Sequence, residues 1–584
     1  AQDSSSEDES QEEAPADDGE IVVTGIRQSL ESAQNIKREA DTVVDVITAE
    51  DIGALPDRSV TEALQRVPGV AINRFAGSND PDHFSVEGSG VVIRGLNFVR
   101  SEFNGRTAFV SGVGGQALNF ADVPSELLGS VVVSKNSTAD MIEGGLAGTV
   151  NLNTRKPLDR YGFNLGLSVE ANYGDFRKDW TPTFSGLISN TWETDSGTFG
   201  LLISGSYSRI KSRADGLQVT NFQTRDNALV EKAFAGGAQV CRNPLPNASD
   251  NFTLPAPGSP CGTAQGAGAD GFADFADVRY APIGGQFRTQ EFDRERDGIA
   301  ISGQWESNDE RTRLTAEFIR SHSTNQWGEY TFETQPDSSE YNTFPLGCGQ
   351  NSNGPAERVP DGRGGFVDGD PTTRGECAVG GFQDFIYDEN NLFQSGYITR
   401  PSDGWRGNDA AGGFVTAGGM QQQIARRQVD EETTNTDYSL HLTHQLTDRL
   451  TIDIDAQYAE SRKENLDVSL FGSTFADQEL DLTGDLPVVI PHKPNFLSYS
   501  WAGDNPELAA QSDAEYFMDP RSQFWRAAMD HIEDSTGDQF AFRADAQYDF
   551  PDDSFLRYAK VGARYSGADQ TVRYTTYNWG VLSE

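Results

Sequence analysis

Positive charge is scarce in this chain. Its 584 residues hold 46 Lys and Arg against 89 Asp and Glu, a formal net charge of −43. Nucleic-acid phosphates would be repelled by such a field, and an anionic inner leaflet likewise. Neutral or cationic ligands are the easier partners. Long apolar runs are missing too. No stretch of 18 or more apolar residues exists, which excludes a transmembrane helix, and only 36% of residues are hydrophobic. No basic segment followed by an apolar one marks a signal peptide. The chain opens Ala1-Gln2-Asp3, which reads as a mature N-terminus after a small-residue cleavage site, so an exported protein is expected. Cysteines number four, in two local pairs, Cys241/Cys261 and Cys348/Cys377, each within a polar stretch rich in Gly and Pro. Two loop disulfides in an oxidising compartment are the natural reading. Without a C-x-x-C or a His at ligand spacing nearby, zinc is not expected.

What is present begins with acid. Residues 1–26 carry nine acidic residues and no Lys or Arg, too much charge and too little apolar surface to offset the entropy of ordering. Within this tether lies a small β-prone island, Glu20 to Arg27 (EIVVTGIR). Such an island can add as a strand to another protein's sheet edge. It can equally be the first strand of the domain that follows. Residues 28–40 have a helical pattern and link the island to that domain.

Residues 41–157 read as a compact α/β domain. Strands are expected at Thr42–Ile47, Val70–Arg74, Val91–Gly95, Ala108–Val110, Ser130–Ser134 and Thr149–Asn153, with a helix over Ser59–Val67 stopped by Pro68-Gly69. Thr48 with Asp51 three residues on is a loose capping pair.

From Tyr161 the hydrophobic period becomes two. Phe163, Leu165, Leu167, Val169, Ala171 and Tyr173 alternate with polar or small residues, and the pattern recurs at Phe199–Ile203, Ile299–Trp305, Leu314–Phe318, Tyr438–Leu442, Leu450–Tyr458 and Phe540–Tyr548. The segments are about ten residues long and joined by short turns at one end. At the other end lie long gaps near 210–296, 322–435 and 460–538. This is the pattern of a membrane all-β protein, an antiparallel transmembrane β-barrel, which crosses a bilayer without any long apolar run. A soluble sandwich also alternates, but such asymmetry of its loops would be unusual.

The order of these parts resembles the TonB-dependent outer-membrane receptors. Glu20–Gly25 is similar to their TonB box. Val46–Arg74 (VITAEDIGALPDRSVTEALQRVPGVAINR), Val91–Leu96 (VVIRGL) and Val123–Pro157 resemble their plug domain. The style is closest to the Caulobacter-type subgroup. The resemblance implies a disordered tether with the box over 1–40, a plug over 41–157, and the N-terminal part of a barrel over 158–584. It implies residence in the bacterial outer membrane, contact with its lipid, and energised import of a small-molecule nutrient. In that scheme Glu20, Ile21, Val22, Val23, Thr24 and Gly25 pair with TonB, which works with ExbB and ExbD. Plugged transporters have 22 strands and only about nine are visible here. A longer receptor, or a second chain completing the barrel, is expected.

Ligand contacts are expected at the plug's Gly-rich loops and on the barrel loops: Phe75, His83, Arg100, Asn104, Arg106, Trp327, Trp405 and Trp501. Aromatic faces beside carboxylates suit sugars. The same aromatics also serve as interfacial girdles. Arg94, beside Gly95, is expected to anchor the plug by pairing with the acidic lumen, since buried charges need partners. Asp361, Asp368 and Asp370 in a Gly-rich stretch would suit Ca²⁺ but miss EF-hand spacing, so no cofactor or metal is assigned. No catalytic triad or singled-out carboxylate pair is visible, so no enzyme is expected. The expected cargo is an oligosaccharide. The alternatives are a ferric siderophore or cobalamin, or, in another class, a passive porin or surface adhesin.

Overall fold

The computed structural model describes residues 33–38, 40–48, 59–77, 80–113, 118–226, 278–334, 344–345, 358–360, 366–368, 386–390, 392–399, 420–493 and 510–582. The Glu20–Gly25 segment, Asp51, Trp405, Trp501, Asp361 and Asp370 lie outside them. So do all four cysteines, Cys241, Cys261, Cys348 and Cys377. The two expected loop disulfides, Cys241–Cys261 and Cys348–Cys377, therefore have no counterpart among the described residues.

Residues 33–38 are helical and lead into β1 (Val44–Thr48). Helix α1 (Val60–Leu64) starts where Ser59 Oγ accepts the Glu62 N–H at 3.3 Å. Its Val60, Ala63 and Leu64, spaced for one face, are fully buried. There follow β2 (Val70–Asn73), β3 (Phe75–Gly77), β4 (Asp80–Phe84), β5 (Gly90–Ile93), β6 (Val99–Phe103), β7 (Arg106–Thr107), β8 (Leu128–Ser134) and β9 (Gly148–Thr154). Five of them form a mixed sheet in the order β1-β8-β9-β6-β7, with β6 and β9 parallel. Ile93, Val131, Val133, Val150 and Leu152 close the core. One expectation fails here. Ala108–Val110 is not a strand, and the Gly-rich loop expected to carry Arg100, Asn104 and Arg106 is the β6–β7 hairpin. Its turn is Asn104-Gly105, both at positive φ (49° and 76°), a conformation that Asn and Gly adopt most readily.

Nine long antiparallel strands follow as a meander: β10 (Asn164–Gly174), β11 (Asp179–Thr194), β12 (Gly197–Asp226), β13 (Val278–Glu306) and β14 (Thr312–Thr334) in the first part. Short strands β15 (Phe344–Pro345), β16 (Arg358–Pro360), β17 (Phe366–Asp368), β18 (Ile386–Tyr387) and β19 (Phe393–Thr399) intervene. The meander resumes with β20 (Met420–Thr447) and β21 (Leu450–Asp481) and, after β22 (Val488–His492) and helix α2 (Asp513–Met518), ends in β23 (Phe524–Asp549) and β24 (Tyr558–Tyr574). A last piece, β25 (Asn578–Val581), continues along β23. Among the described residues β10 pairs only with β11 and β24 only with β23, so the wall is not closed. Turns at 195–196, 307–311, 448–449 and 550–557 mark its short-turn end, and the connections of 227–277, 335–419 and 482–523 mark its long-loop end.

The outer face of this wall carries an apolar band. Phe199, Leu201, Ile203, Tyr438, Leu440, Tyr458, Phe540 and Phe542 point outward and are all exposed. Nine residues from Phe199 to Tyr207, at about 3.3 Å each and tilted about 40°, cover about 23 Å, the height of a lipid-facing band. Aromatic rings run across neighbouring strands in register with Ile203. Phe318 lies 5.1 Å from Tyr438, Tyr438 6.4 Å from Tyr458, and Phe540 5.8 Å from Tyr565. Above the band the outward positions become ionic, with Arg209 on Asp293, Lys211 on Asp179 and Arg213 beside Asp215.

That change corrects the expected loops. Strand runs into both ends of each of the gaps near 210–296, 322–435 and 460–538: β12 has 30 residues, β13 29 and β21 32. Once a strand leaves lipid, both faces meet polar surroundings and the apolar alternation lapses. The hydrogen-bonded ladder continues without it.

The plug domain lies against the inner face. Ala300 and Ile319 of the wall join its core. Gly298 permits the approach, since a Cβ there would sit 2.5 Å from Leu127 Cδ1.

Candidate functional site

Inward positions of the wall meet the plug at three levels. Nearest the short turns, Arg106 of β7 is buried and donates to two carboxylates. Its Nε bonds both Asp455 oxygens at 3.0 and 2.9 Å, and its Nη1 bonds Glu317 Oε2 at 3.0 Å. Asn104 Nδ2 reaches Glu317 Oε1 at 3.1 Å, and Lys156 pairs with the same oxygen. His441 Nδ1 lies 3.2 Å from Asp455 on its other side. The cluster borders a cavity of about 1530 Å³ that also touches Asp453, Arg313 and Arg564.

One level up the charges invert. Glu87 of the plug, buried, pairs with Arg296 and, at 3.4 Å, with Arg294 of β13. Arg296 also donates to the Ala121 carbonyl. Asp122 is buried beside them, and burial pushes its carboxyl up. Ser111 N–H donates to Ser461 Oγ at 2.9 Å, and Val113 N–H to Glu533 Oε1 at 2.8 Å. Ser302 pairs in register with Glu317, and Arg296 with Ser323. The two levels are therefore six residues apart, about 20 Å along the strand. Plug cations face wall carboxylates below, and plug carboxylates face wall guanidinia above.

The third level belongs to His83 on the β3–β4 hairpin. Its Nε2 is 3.0 Å from Glu329 Oε1 and 3.1 Å from Arg427 Nη1. Arg427 holds Asp467 through Nε at 2.9 Å and Nη2 at 2.6 Å. Trp327 is enclosed here, with Phe292 stacked at 6.0 Å, Arg427 over its face at 4.9 Å and His83 at 5.4 Å.

Several expected site residues fall elsewhere. Arg94 does not reach the lumen carboxylates. At φ 52° in a tight turn with Gly95, it donates to the Lys135 carbonyl and to Asn136 Oδ1, both 3.4 Å away and both in the plug. Arg106 occupies the anchoring place instead. Arg100 is spent within the plug on Glu102, the Glu143 carbonyl and Thr107. Trp327 lies in strand β14, not in a loop, and its enclosed ring is no open sugar platform. Asn104 sits at the lower level, beside Arg106. Phe75 is in β3 and Asp368 in β17. Trp405 and Trp501, like Cys241, Cys261, Cys348 and Cys377, are outside the described residues. Among the described residues no cluster of His, Cys, Asp or Glu suits a metal. Sequence reasoning missed Glu317, Asp455, Glu87 and Arg296. For two of them the signal was present: Glu317 sits between Ala316 and Phe318, and Asp455 between Ile454 and Ala456. A carboxylate flanked by lipid-facing residues must face the lumen.

A lipid-belted wall of antiparallel strands with a charge-fastened α/β domain on its inner face defines a plugged outer-membrane protein. The comparisons give that plug its family: residues 36–149 match the model described as TonB-dependent Receptor Plug Domain. Among curated proteins no relative matches. Solved structures similar to the chain include the siderophore receptor PirA from Acinetobacter baumannii, at 11% identity over 93% of each chain and a TM-score of 0.24. Another is the alcaligin outer-membrane receptor FauA from Bordetella pertussis, at 10% identity over 93% of this chain and 81% of that one, TM-score 0.26. A third is the hemophore receptor HasR of Serratia marcescens, at 10% identity over 94% and 83%, TM-score 0.26. Scores this low carry nothing about ligand or mechanism to this chain.

Proposed function

We propose that the chain is a TonB-dependent importer of the Caulobacter-type subgroup that takes an oligosaccharide across the outer membrane. The observation that carries this reading is the plug-domain match seated against a lipid-belted wall. The match begins at residue 36, shortly after Glu20–Gly25 in its acidic tether. That segment offers backbone hydrogen bonds to a sheet edge of TonB, driven by ExbB and ExbD, and the tether lets it search for that partner. Force on the tether reaches β1, an edge strand of the plug sheet.

Cargo chemistry is read from the wall toward the long loops. Its inward positions are rich in hydroxyls and amides. The side-chain oxygens of Gln290, Asn325 and Asn465 are buried with no hydrogen-bond partner among the described residues. Amide and hydroxyl groups both donate and accept, as sugar hydroxyls do. An anionic iron chelate would want free guanidinia, whereas Arg427 is held by both oxygens of Asp467. Binding of labelled oligosaccharides and of ferric siderophores to the purified full chain tests the assignment. Saturable oligosaccharide binding without siderophore competition is expected, and the reverse pattern overturns it.

A further inference from the structure

One atom joins the β3–β4 hairpin to the wall under two competing claims. His83 Nε2 lies within hydrogen-bond distance of both Glu329 Oε1, at 3.0 Å, and Arg427 Nη1, at 3.1 Å. An ionised carboxylate only accepts and a guanidinium only donates. With its proton on, Nε2 serves Glu329 and turns an N–H toward an N–H. With the proton off, it serves Arg427 and turns a lone pair toward a carboxylate. One nitrogen cannot satisfy both partners at once. The partners are otherwise committed. Glu329 Oε2 accepts from Arg288 Nη1 at 3.4 Å and Gln290 Nε2 at 3.3 Å. Arg427 is held by both oxygens of Asp467 and lies over Trp327. Among the described residues, Glu329 and Arg288 on one side and Arg427 and Asp467 on the other are the charged groups that face His83.

We propose that His83 is a two-position coupling residue whose Nε2 exchanges between Glu329 and Arg427, tying the plug hairpin to what occupies the lumen beside it. Solute hydroxyls donating to Glu329 leave His83 to Arg427. Solute acceptors drawing on Arg427 leave it to Glu329. Protonation of the imidazole has the second effect, because an imidazolium can only donate. The purpose of the exchange rests on the import reading, but its measurement does not, since a proton alone drives it.

Hydrogen exchange of the hairpin, residues 75–84, in the detergent-solubilised full chain tests this between pH 5 and 8, after correction for intrinsic rates. Wild-type protection should change across that window as His83 changes partner. In His83→Gln the amide donates to Glu329 and accepts from Arg427 together, so exchange should be about fivefold slower and flat with pH. In His83→Ala it should be faster than wild type and also flat. A flat wild-type profile overturns the proposal whatever the variants do, including where a variant fails to fold. A His83→Gln profile that still follows pH overturns it as well. Absence of uptake by the wild type, with a wild-type profile that follows pH, would count against the import reading and leave the exchange standing.

Discussion

Arg106 is a positively charged residue buried where the plug meets the wall, and its worth follows from its two carboxylate partners. Removing one side of a buried pair leaves the other charge uncompensated, at about 3–5 kcal/mol, whereas replacing the whole set by apolar groups costs far less. Arg106→Ala should therefore lower the plug's melting transition more than the fourfold change Arg106→Leu, Lys156→Leu, Glu317→Leu and Asp455→Leu, which removes the cluster's cations together with its carboxylates. Calorimetry of the detergent-solubilised chain reads the difference, and equal losses would deny the pairing. A second residue-scale prediction concerns His492, buried between Asp513, at 2.7 Å, and Glu479, at 3.3 Å. Burial alone would lower its pKa; the hydrogen bonds to both carboxylates outweigh it and hold the imidazole up to about 9. A folded pKa above the unfolded value near 6.5 gives stability that is complete below about pH 6.5 and lost as pH rises through 9, on the order of 3 kcal/mol. Exchange protection of residues 510–523, which include α2, should fall between pH 6 and 10 in the wild type and stay level in His492→Gln.

At the scale of elements, the band and its end explain both what the sequence displayed and what it hid. Inside lipid one face of each strand must be apolar, so Leu450, Ile452, Ile454 and Tyr458 declare a strand, and Asp453 and Asp455 declare its inward face. Beyond the band, Arg209, Lys211 and Arg213 keep the outward alternation on strand β12 but carry no apolar signal. Half of each long strand was therefore invisible to pattern. The β6–β7 hairpin is legible through Asn104-Gly105, but its second strand is only two residues long, too short to show an alternating pattern. Pairings such as Arg106 with Asp455, 349 positions apart, have no sequence signature at all. The band also predicts a contrast in bilayer folding. Leu201→Arg, at mid-band, should cost about 2–4 kcal/mol. Glu295→Arg, outward but above the band, should cost little beyond its pair with Arg209. Urea titration of folding into lipid vesicles separates the two, and equal costs would misplace the lipid boundary.

For the whole molecule, the inversion of charge between levels sets the plug's register in the wall. A rigid slide of about 20 Å toward the short turns would carry Glu87 from Arg296 to Glu317, trading an attraction for a repulsion. On the proposed import reading, such a slide is disfavoured and the plug would open by internal rearrangement. The Lys37–Asp45 pair ties the helical turn at 33–38 to β1. Burial pulls the Asp45 carboxyl up, but the Lys135 and Lys37 ammonium groups together outweigh it and hold the carboxyl below its usual range. In the proposed function, force delivered through Glu20–Gly25 drives import past this plug. Its most direct test deletes those six residues and follows one labelled oligosaccharide, comparing binding to intact cells with energised uptake. Binding should stay within about twofold and uptake should vanish, as expected when a strand-pairing handle alone is removed. Uptake continuing at the undeleted rate would contradict the account and return the chain to the passive channels.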